Sequence, residues 1–208
     1  MREKTGSPAH ADCGLSAKRP RHRTRTTDSQ HTHPVAENVL GRDFTATATN
    51  TKWVADITGV WTAQGWLYLA VVLDLYSRMI VGWAMDAHLE AVLVENARPL
   101  ALVRRHPKPG LLHHSDRGSQ YTCHDYQALL ASYGILVSMS RKGDCYDNAL
   151  MESFYGTLKT ECVERASYQT RTQARQAIFE YLEVFYNRQR LHSSLGYVSP
   201  IVYEQQVR

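Results

Sequence analysis

The pattern of this chain predicts an α/β fold on a mixed sheet, and three observations carry that expectation. Strand-like stretches at 52–60, 66–75 and 78–85 follow one another across short turns at Gln64-Gly65 and Tyr76-Ser77, which describes an antiparallel meander. The second stretch is apolar at successive positions, so both of its faces are to be buried and it belongs inside the sheet. Helical stretches then alternate with short apolar runs, which supplies cover for both faces.

Taken in order, residues 1–50 are rich in Arg, His, Thr, Ser, Pro and Asp and have almost no apolar period. Such a segment buries too little surface to offset the entropy of ordering, so a basic, extended or disordered arm is expected. Its run Lys18-Arg19-Pro20-Arg21-His22-Arg23-Thr24-Arg25 either lies on phosphates or is a solvated linker. After the meander, a helix at about 88–106 ends before Pro107-Lys108-Pro109-Gly110, and a strand at 111–114 delivers Ser115-Asp116. A helix at 119–133 stops at Gly134, and 135–139 forms a last strand. The helix carrying Glu152 runs to about 165, an amphipathic helix follows at 170–187, and a basic tail reads Tyr186-Asn187-Arg188-Gln189-Arg190-Leu191-His192-Ser193. The expected organisation is an arm over 1–50, a catalytic core over 51–166, and a C-terminal helix and tail over 167–208 that complete the core.

A chain of 208 residues can bury one proper core with flanking arms, not several domains. Its net charge is +4, and the first fifty residues contribute eight Lys/Arg against five Asp/Glu, a balance that suits a polyanionic partner. Cysteines 13, 123, 145 and 162 form no CxxC pair, which argues against a zinc site or a disulfide framework and for reduced thiols. No signal-like apolar region opens the chain, and the longest apolar stretch, 66–73, is too short to cross a bilayer. A soluble protein of the bacterial cytosol or nucleoid is expected.

Three carboxylates then stand out. Asp56 lies in Trp53-Val54-Ala55-Asp56-Ile57-Thr58, Asp116 in His114-Ser115-Asp116-Arg117-Gly118-Ser119-Gln120-Tyr121, and Glu152 in Asp147-Asn148-Ala149-Leu150-Met151-Glu152-Ser153-Phe154. Phosphodiester chemistry with two divalent cations needs hard oxygen ligands on rigid elements, and three acids converging from separate elements can provide them. Between Asp116 and Glu152 lie 35 residues, and Lys159 follows seven positions after the glutamate. At about 100° per residue, Asn148, Glu152 and Lys159 fall on one side of a helix, with Leu150, Phe154 and Leu158 on another.

This spacing, with the words Asp43-Phe44-Thr45-Ala46-Thr47-Ala48, Trp66-Leu67-Tyr68-Leu69-Ala70-Val71-Val72-Leu73-Asp74-Leu75-Tyr76-Ser77-Arg78, Ser138-Met139-Ser140-Arg141-Lys142-Gly143 and His192-Ser193-Ser194-Leu195-Gly196-Tyr197, resembles the catalytic core of DDE transposases and retroviral-type integrases. It is most similar to the second-frame product of the IS-three group of bacterial insertion sequences, shortened at its N-terminus. The resemblance implies a ribonuclease H-like fold, with a five-stranded mixed sheet whose first three strands are antiparallel and helices on both faces. It further implies a transposase catalytic subunit that cleaves DNA 3′ ends and transfers strands, with Asp56, Asp116 and Glu152 holding two Mg²⁺ or Mn²⁺ ions. Terminal inverted repeats and target DNA are the implied partners, with a homo-oligomer on DNA and a first-frame helix-turn-helix protein as fusion or partner. Two other readings stand beside it: a ribonuclease H-like nuclease that only hydrolyses, and a non-catalytic DNA-binding remnant.

Lys159, Asn148, Arg141, Lys142 and Arg117 are the candidate DNA contacts, each weighed against an ordinary solvated role, and Gln120 is a lesser one. Asp74, Asp125, Asp144 and Asp147 are expected in turns, caps or on the surface. His113 and His114 are read as core or supporting groups and not as ligands, and Trp53, Trp61, Trp66 and Trp83 as core. Gly59-Val60 departs from relatives that often carry an aromatic residue there, which affects local packing or a DNA contact.

Overall fold

The computed structural model describes residues 31–206, so the basic run at 18–25 lies outside the described residues. β1 (Lys52–Thr62), β2 (Gly65–Asp74) and β3 (Ile80–Asp86) form the expected meander, with β1 and β2 in register from Trp53↔Asp74 to Thr62↔Gly65. β4 (Leu112–Ser115) and β5 (Leu136–Met139) join in parallel beyond β1, giving the order β3-β2-β1-β4-β5. The unbroken apolar run of β2 is explained by its position: it is an interior strand, and every residue from Leu69 to Asp74 is buried.

Alternation along the strands divides the core. Trp53, Ala55, Ile57, Ala70 and Val72 pack against α1 (Ala91–Arg105), α2 (Ser119–Thr122) and α3 (His124–Ser132) through Leu93, Ala97, Tyr121 and Leu130. Val54, Val60, Leu69 and Val71 pack against α4 (Ala149–Glu161) and α5 (Arg171–Glu180) through Met151, Phe154, Leu158 and Ile178. Each such aliphatic side chain removed from water contributes about 1.5–3 kcal/mol, so the sandwich of sheet and helices is held from both sides. α1 can approach β3 closely only because of Gly82, where an added Cβ would stand 2.5 Å from the Ala97 carbonyl oxygen.

The helices differ from expectation in detail. α1 runs through Pro99, and the stretch expected as one helix at 119–133 is broken at Cys123, which takes an extended conformation. α5 begins at a capping box in which the Thr170 hydroxyl accepts from Gln173 N and the Gln173 side chain accepts from Thr170 N. It then widens into a π-helical turn over Tyr181–Tyr186. Just after that turn, the Asn187 side chain donates to Ile80 O and accepts from Ile80 N, both at 2.9 Å, and so covers part of edge strand β3. A last helix, α6 (Pro200–Gln206), is tied back through Glu204, which accepts from both Arg105 guanidinium nitrogens at 2.8 Å and from Ser77 Oγ. Residues 31–50 contain no helix or strand, yet Leu40 is buried in the α4-side core. Among the described residues, no helix is long and apolar enough to cross a membrane.

Candidate active site

Asp56 lies midway along β1, on the strand face shared with Val54 and Val60, toward α4. In the parallel pairing of β1 and β4, Val54 stands opposite His114. Two positions further along each strand are Asp56 and Asp116, so the second acid emerges beside the first just past the end of β4. Same-face groups on neighbouring strands are only about 5 Å apart at their origins, which makes this register the reason the two carboxylates meet. Asp116 Oδ1 accepts from Gly118 N at 2.8 Å, a turn that fixes the loop between β4 and α2.

Glu152 reaches the same place by way of α4. Four residues before it, Asn148 Nδ2 donates to Ala55 O at 3.2 Å; three residues after it, the Tyr155 hydroxyl donates to Asp56 O at 2.5 Å and to Leu69 O at 3.4 Å. Positions separated by three and four lie on one helix face, so two anchors that bracket Glu152 turn that face to β1. The buried stripe of α4 is Met151, Phe154, Tyr155 and Leu158, with Leu150 only half-buried. This stripe is rotated toward the Glu152 side relative to the Leu150–Phe154–Leu158 expectation.

The electrostatics register the convergence. The Asp56 carboxyl is held well above the usual carboxylate range, first by burial, then by the like charge of Asp116 and, less strongly, of Glu152. A hydrogen bond from Ile57 N and the charge of Lys159 act in the opposite direction. Tyr121 and Tyr155 are buried phenols raised mainly by loss of solvent, and both also feel Asp56 and Asp116. Three acids and one lysine therefore share one electrostatic neighbourhood. The donor set is all hard oxygen, the kind that suits Mg²⁺ or Mn²⁺, and the repulsion on Asp56 is the burden a divalent cation relieves. Among the described residues, no three His, Cys, Asp or Glu side chains are drawn closely enough together to enclose an ion.

The candidate DNA contacts fall in different settings. Lys159 is half-buried on α4 within reach of Asp56, and Lys142 is exposed. Asn148 is buried beneath the acids, and its Oδ1 has no partner among the described residues. Arg117 is turned back to the carbonyl of Ser140 at the end of β5. Arg141 is engaged within the chain: its guanidinium and backbone N–H donate to Asp147 at 2.8–3.0 Å.

Asp147 is neither a turn nor a surface group. It has no exposed surface, and it also accepts from Asn38 Nδ2 at 2.8 Å and Arg42 Nε at 2.9 Å. Its carboxyl is pulled far below the ordinary carboxylate range, chiefly by Arg141. Asp144 accepts from Tyr146 N as a cap, and Asp74 is buried at the β2–β3 turn, where it accepts from Asn50 N, Trp53 Nε1 and Tyr76 N. Asp125 is exposed. Both histidines before Asp116 are buried supporting groups: His113 Nε2 meets the Tyr126 hydroxyl at 3.1 Å, and His114 meets Ser138 Oγ and Ser140 Oγ.

The tryptophan expectation needs one correction. Trp53 is core, but Trp61 is 60% exposed near the end of β1, edge-on to Trp66 at 5.0 Å. The Trp66 ring also occupies the space over Gly59, where a Cβ would come within 3.0 Å of it. In this chain the aromatic group comes from the neighbouring strand, which is why residue 59 carries no side chain. Pattern reasoning missed Tyr155 and Asp147; Tyr155 sits at helical spacing from Glu152, a signal that was available.

The chain matches the integrase core domain family over residues 46–145, and a second integrase core domain family over 152–207. It is 48% identical over 191 residues to an uncharacterized 31 kDa protein of insertion element IS600 from Shigella sonnei, covering 92% of this chain and 70% of that protein. It is 45% identical over 192 residues to the transposase of insertion sequence element IS904 from Lactococcus lactis, covering 92% and 76%. A transposase of IS3fB from Escherichia coli K12 is 45% identical over 193 residues, covering 93% and 67%. Among solved structures, the HTLV-2 integrase catalytic core domain in complex with magnesium superposes with a TM-score of 0.58 at 16% identity, covering 77% of this chain and 99% of that one. A chain of the simian T-cell lymphotropic virus intasome gives 0.64 at 15% identity, with 86% of this chain and 61% of that chain covered. The fold is thus ribonuclease H-like, as the sequence resemblance implied.

Proposed function

The chain belongs to the insertion-sequence transposases that carry an integrase core domain, and from that premise we propose that it cleaves DNA at the 3′ ends of its element and joins them to target DNA at Asp56, Asp116 and Glu152. The observation that carries the reading is geometric: the β1–β4 register sets Asp116 beside Asp56, and the Asn148 and Tyr155 anchors turn the Glu152 face of α4 to β1. Asp56, Asp116 and Glu152 would hold two Mg²⁺ or Mn²⁺ ions. When bound, such ions activate an attacking oxygen and stabilise the leaving one.

The chain's own residues do the positioning. The β1–β4 register sets the spacing of Asp56 and Asp116, and Asn148 and Tyr155 seat α4 so that Glu152 faces them. Lys159 lies on the same helix with a charge that reaches the site, and it is assigned a DNA phosphate near the reacting end. Arg117, Lys142 and Arg141 are assigned to the DNA backbone more remotely, Arg141 through the part of its guanidinium that Asp147 leaves accessible. The same reading gives the chain terminal inverted repeats and target DNA as partners, a homo-oligomeric assembly on them, and a first-frame helix-turn-helix protein as fusion or partner. In organisation, 51–166 form the catalytic core, and 167–208 complete it.

A strand-transfer assay with labelled element ends, added Mg²⁺ or Mn²⁺, and the chain beside Glu152→Gln tests the reading. Metal-dependent joining that disappears in a folded variant is the expected result. Joining retained by that variant, or cleavage of RNA–DNA hybrids without any joining, would overturn it.

A further inference from the structure

The segment before β1 has no helix or strand of its own, yet it touches both the connection that leaves Asp116 and the one that leads into Glu152. At one end, His31 Nε2 donates to the carbonyl oxygen of Arg117, the residue after Asp116, at 2.7 Å. Further along, Val39 N and Leu40 N donate to Ser138 Oγ at 3.0 and 3.1 Å, and Glu37 O accepts from Met139 N at 3.2 Å. Asn38 Nδ2 and Arg42 Nε then donate to Asp147 at 2.8 and 2.9 Å, just before α4. Lys52 Nζ donates to Asp43 O and Oδ2 at 2.9 and 2.7 Å, which pins the segment to the start of β1.

Ser138 carries the contact inward. Its oxygen has two acceptor positions, both taken by Val39 and Leu40, so its own proton goes to His114 Nδ1 at 2.8 Å. That leaves the imidazole hydrogen on Nε2, facing Ser140 Oγ at 3.1 Å. His114 is two residues before Asp116, at the end of β4, so the backbone of the segment orders the strand that delivers the second acid. Its side chains act on the third. Arg141 braces Asp147 from within the connection between β5 and α4, whereas Asn38 and Arg42 come from outside and tie that connection down. Gly41 and Arg42 turn the chain with φ +54° and +65°, and at Arg42, where such a conformation is uncommon, the side chain is held by Asp144 and Asp147.

We propose that residues 37–42 are a strap that sets Asp116 and Glu152 at the separation their shared ions require, with Asn38 and Arg42 as positioning residues. The proposal rests on the DNA-joining reading of the acid cluster. Asp147 stands five positions before Glu152, about 8 Å of helical rise, so a shift at the strap passes along a rigid helix to the third acid. Ligand geometry tolerates only about 0.5 Å of such a shift.

The test is a Mn²⁺ titration of the full chain, followed by the paramagnetic resonance of the free ion, with Asn38→Ala, Arg42→Ala, Thr170→Ala and Glu152→Gln beside the wild type. Asn38 is half-buried and Arg42 exposed, so the core is intact in both strap variants. Thr170→Ala removes the cap of α5 and supplies a loss of stability outside the strap. Each strap variant is expected to weaken Mn²⁺ binding about three- to tenfold, less than the roughly 10- to 100-fold cost of losing a group bonded directly to a ligand. The Mg²⁺ concentration for half-maximal joining should rise by the same factor, and Thr170→Ala should match the wild type in both. Strap variants with wild-type Mn²⁺ affinity, or Thr170→Ala weakened as much as they are, would overturn the proposal and reduce the strap to stability. Those results leave the acid cluster standing if Glu152→Gln still weakens Mn²⁺ binding; a Glu152→Gln chain that binds Mn²⁺ like the wild type refutes both readings.

Discussion

Asp56 on β1 and Asp147 just before α4 flank the Asn148–Ala55 contact that seats the helix presenting Glu152, and their surroundings treat them in opposite ways. Asp147 is sealed from water and already holds its counter-charge, since Arg141, Arg42 and Asn38 all donate to it. Asp56 faces two further acids, with Lys159 and the backbone N–H of Ile57 acting the other way. The first carboxyl is pulled down, the second pushed up. A carboxylate that brings its own cation is part of the scaffold, whereas one set among like charges is prepared for a cation from outside.

The largest effect that sharpens this contrast belongs to the acid cluster. Replacing Glu152 by Gln keeps the size of the side chain and removes one of the mutually repelling charges. Joining activity is expected to fall by more than the roughly 100-fold typical of changes outside the ligand set. The thermal midpoint is expected to stay level or rise, because repulsion on Asp56 is relieved. Activity in a strand-transfer assay and a melting curve on one sample check both halves, and a lowered midpoint would return Glu152 to the scaffold.

Asp147→Ala is expected to do the reverse and act first on stability. It removes a buried acceptor of several hydrogen bonds, a loss of about 1–3 kcal/mol, toward the lower end because the released arginines reach solvent. Since the folded-state pKa is depressed, the stabilisation is fully present above the unfolded carboxylate value of about 4 and is lost as pH falls through the lower folded value. Melting curves of wild type and variant should therefore be well separated at neutral pH and draw together in strong acid. A gap that is independent of pH would show that packing, and not charge, fixes Asp147 in place.

These two carboxylates also mark how far the sequence could be read. Asp56, Asp116 and Glu152 were legible because their order, their 35-residue interval and the surrounding words carry the pattern along the chain itself. The meander was legible because β-strand periodicity and turn residues are local. Asp147 was not: Arg141 lies six positions before it in a stretch that reads as a solvated connection, and its partners Asn38 and Arg42 lie 109 and 105 positions away, where no local pattern announces a pairing. The break at Cys123 and the π-turn at Tyr181–Tyr186 were hidden for a related reason: tertiary packing overrode sequences that read as continuous helix. Trp61 was misjudged because a strand residue beyond the cover of the helices looks, in sequence, like one beneath them.

A smaller effect is expected where the two regions meet. Tyr155→Phe deletes the hydroxyl that donates to Asp56 O and to Leu69 O, which join β1 and β2 to α4. The buried hydrogen bond is worth about 1 kcal/mol, and stability should fall by that order. If the tyrosine serves to seat Glu152, joining activity falls too, and higher metal concentration restores part of it. Lost stability with unchanged metal dependence would confine Tyr155 to packing.

The finest division concerns the two arginines on Asp147. Arg141 donates to Asp147 from its backbone and twice from its side chain, Arg42 donates to it once, and both pair with Asp144 as well. Both guanidiniums keep about half of their surface, at 55% and 44% exposed, so water and salt compete for them. Arg42→Ala and Arg141→Ala should therefore each lower the melting midpoint by less than Asp147→Ala, and added salt should shrink both shifts. Arg141→Ala should be the larger change for Asp147 itself, because it removes the two guanidinium donors that chiefly hold the carboxyl down and leaves only the backbone N–H of residue 141 at 2.8 Å. It should also weaken duplex binding if Arg141 reaches DNA, whereas an equal loss of binding in Arg42→Ala would trace the defect to the shared carboxylate and the α4 entrance it holds.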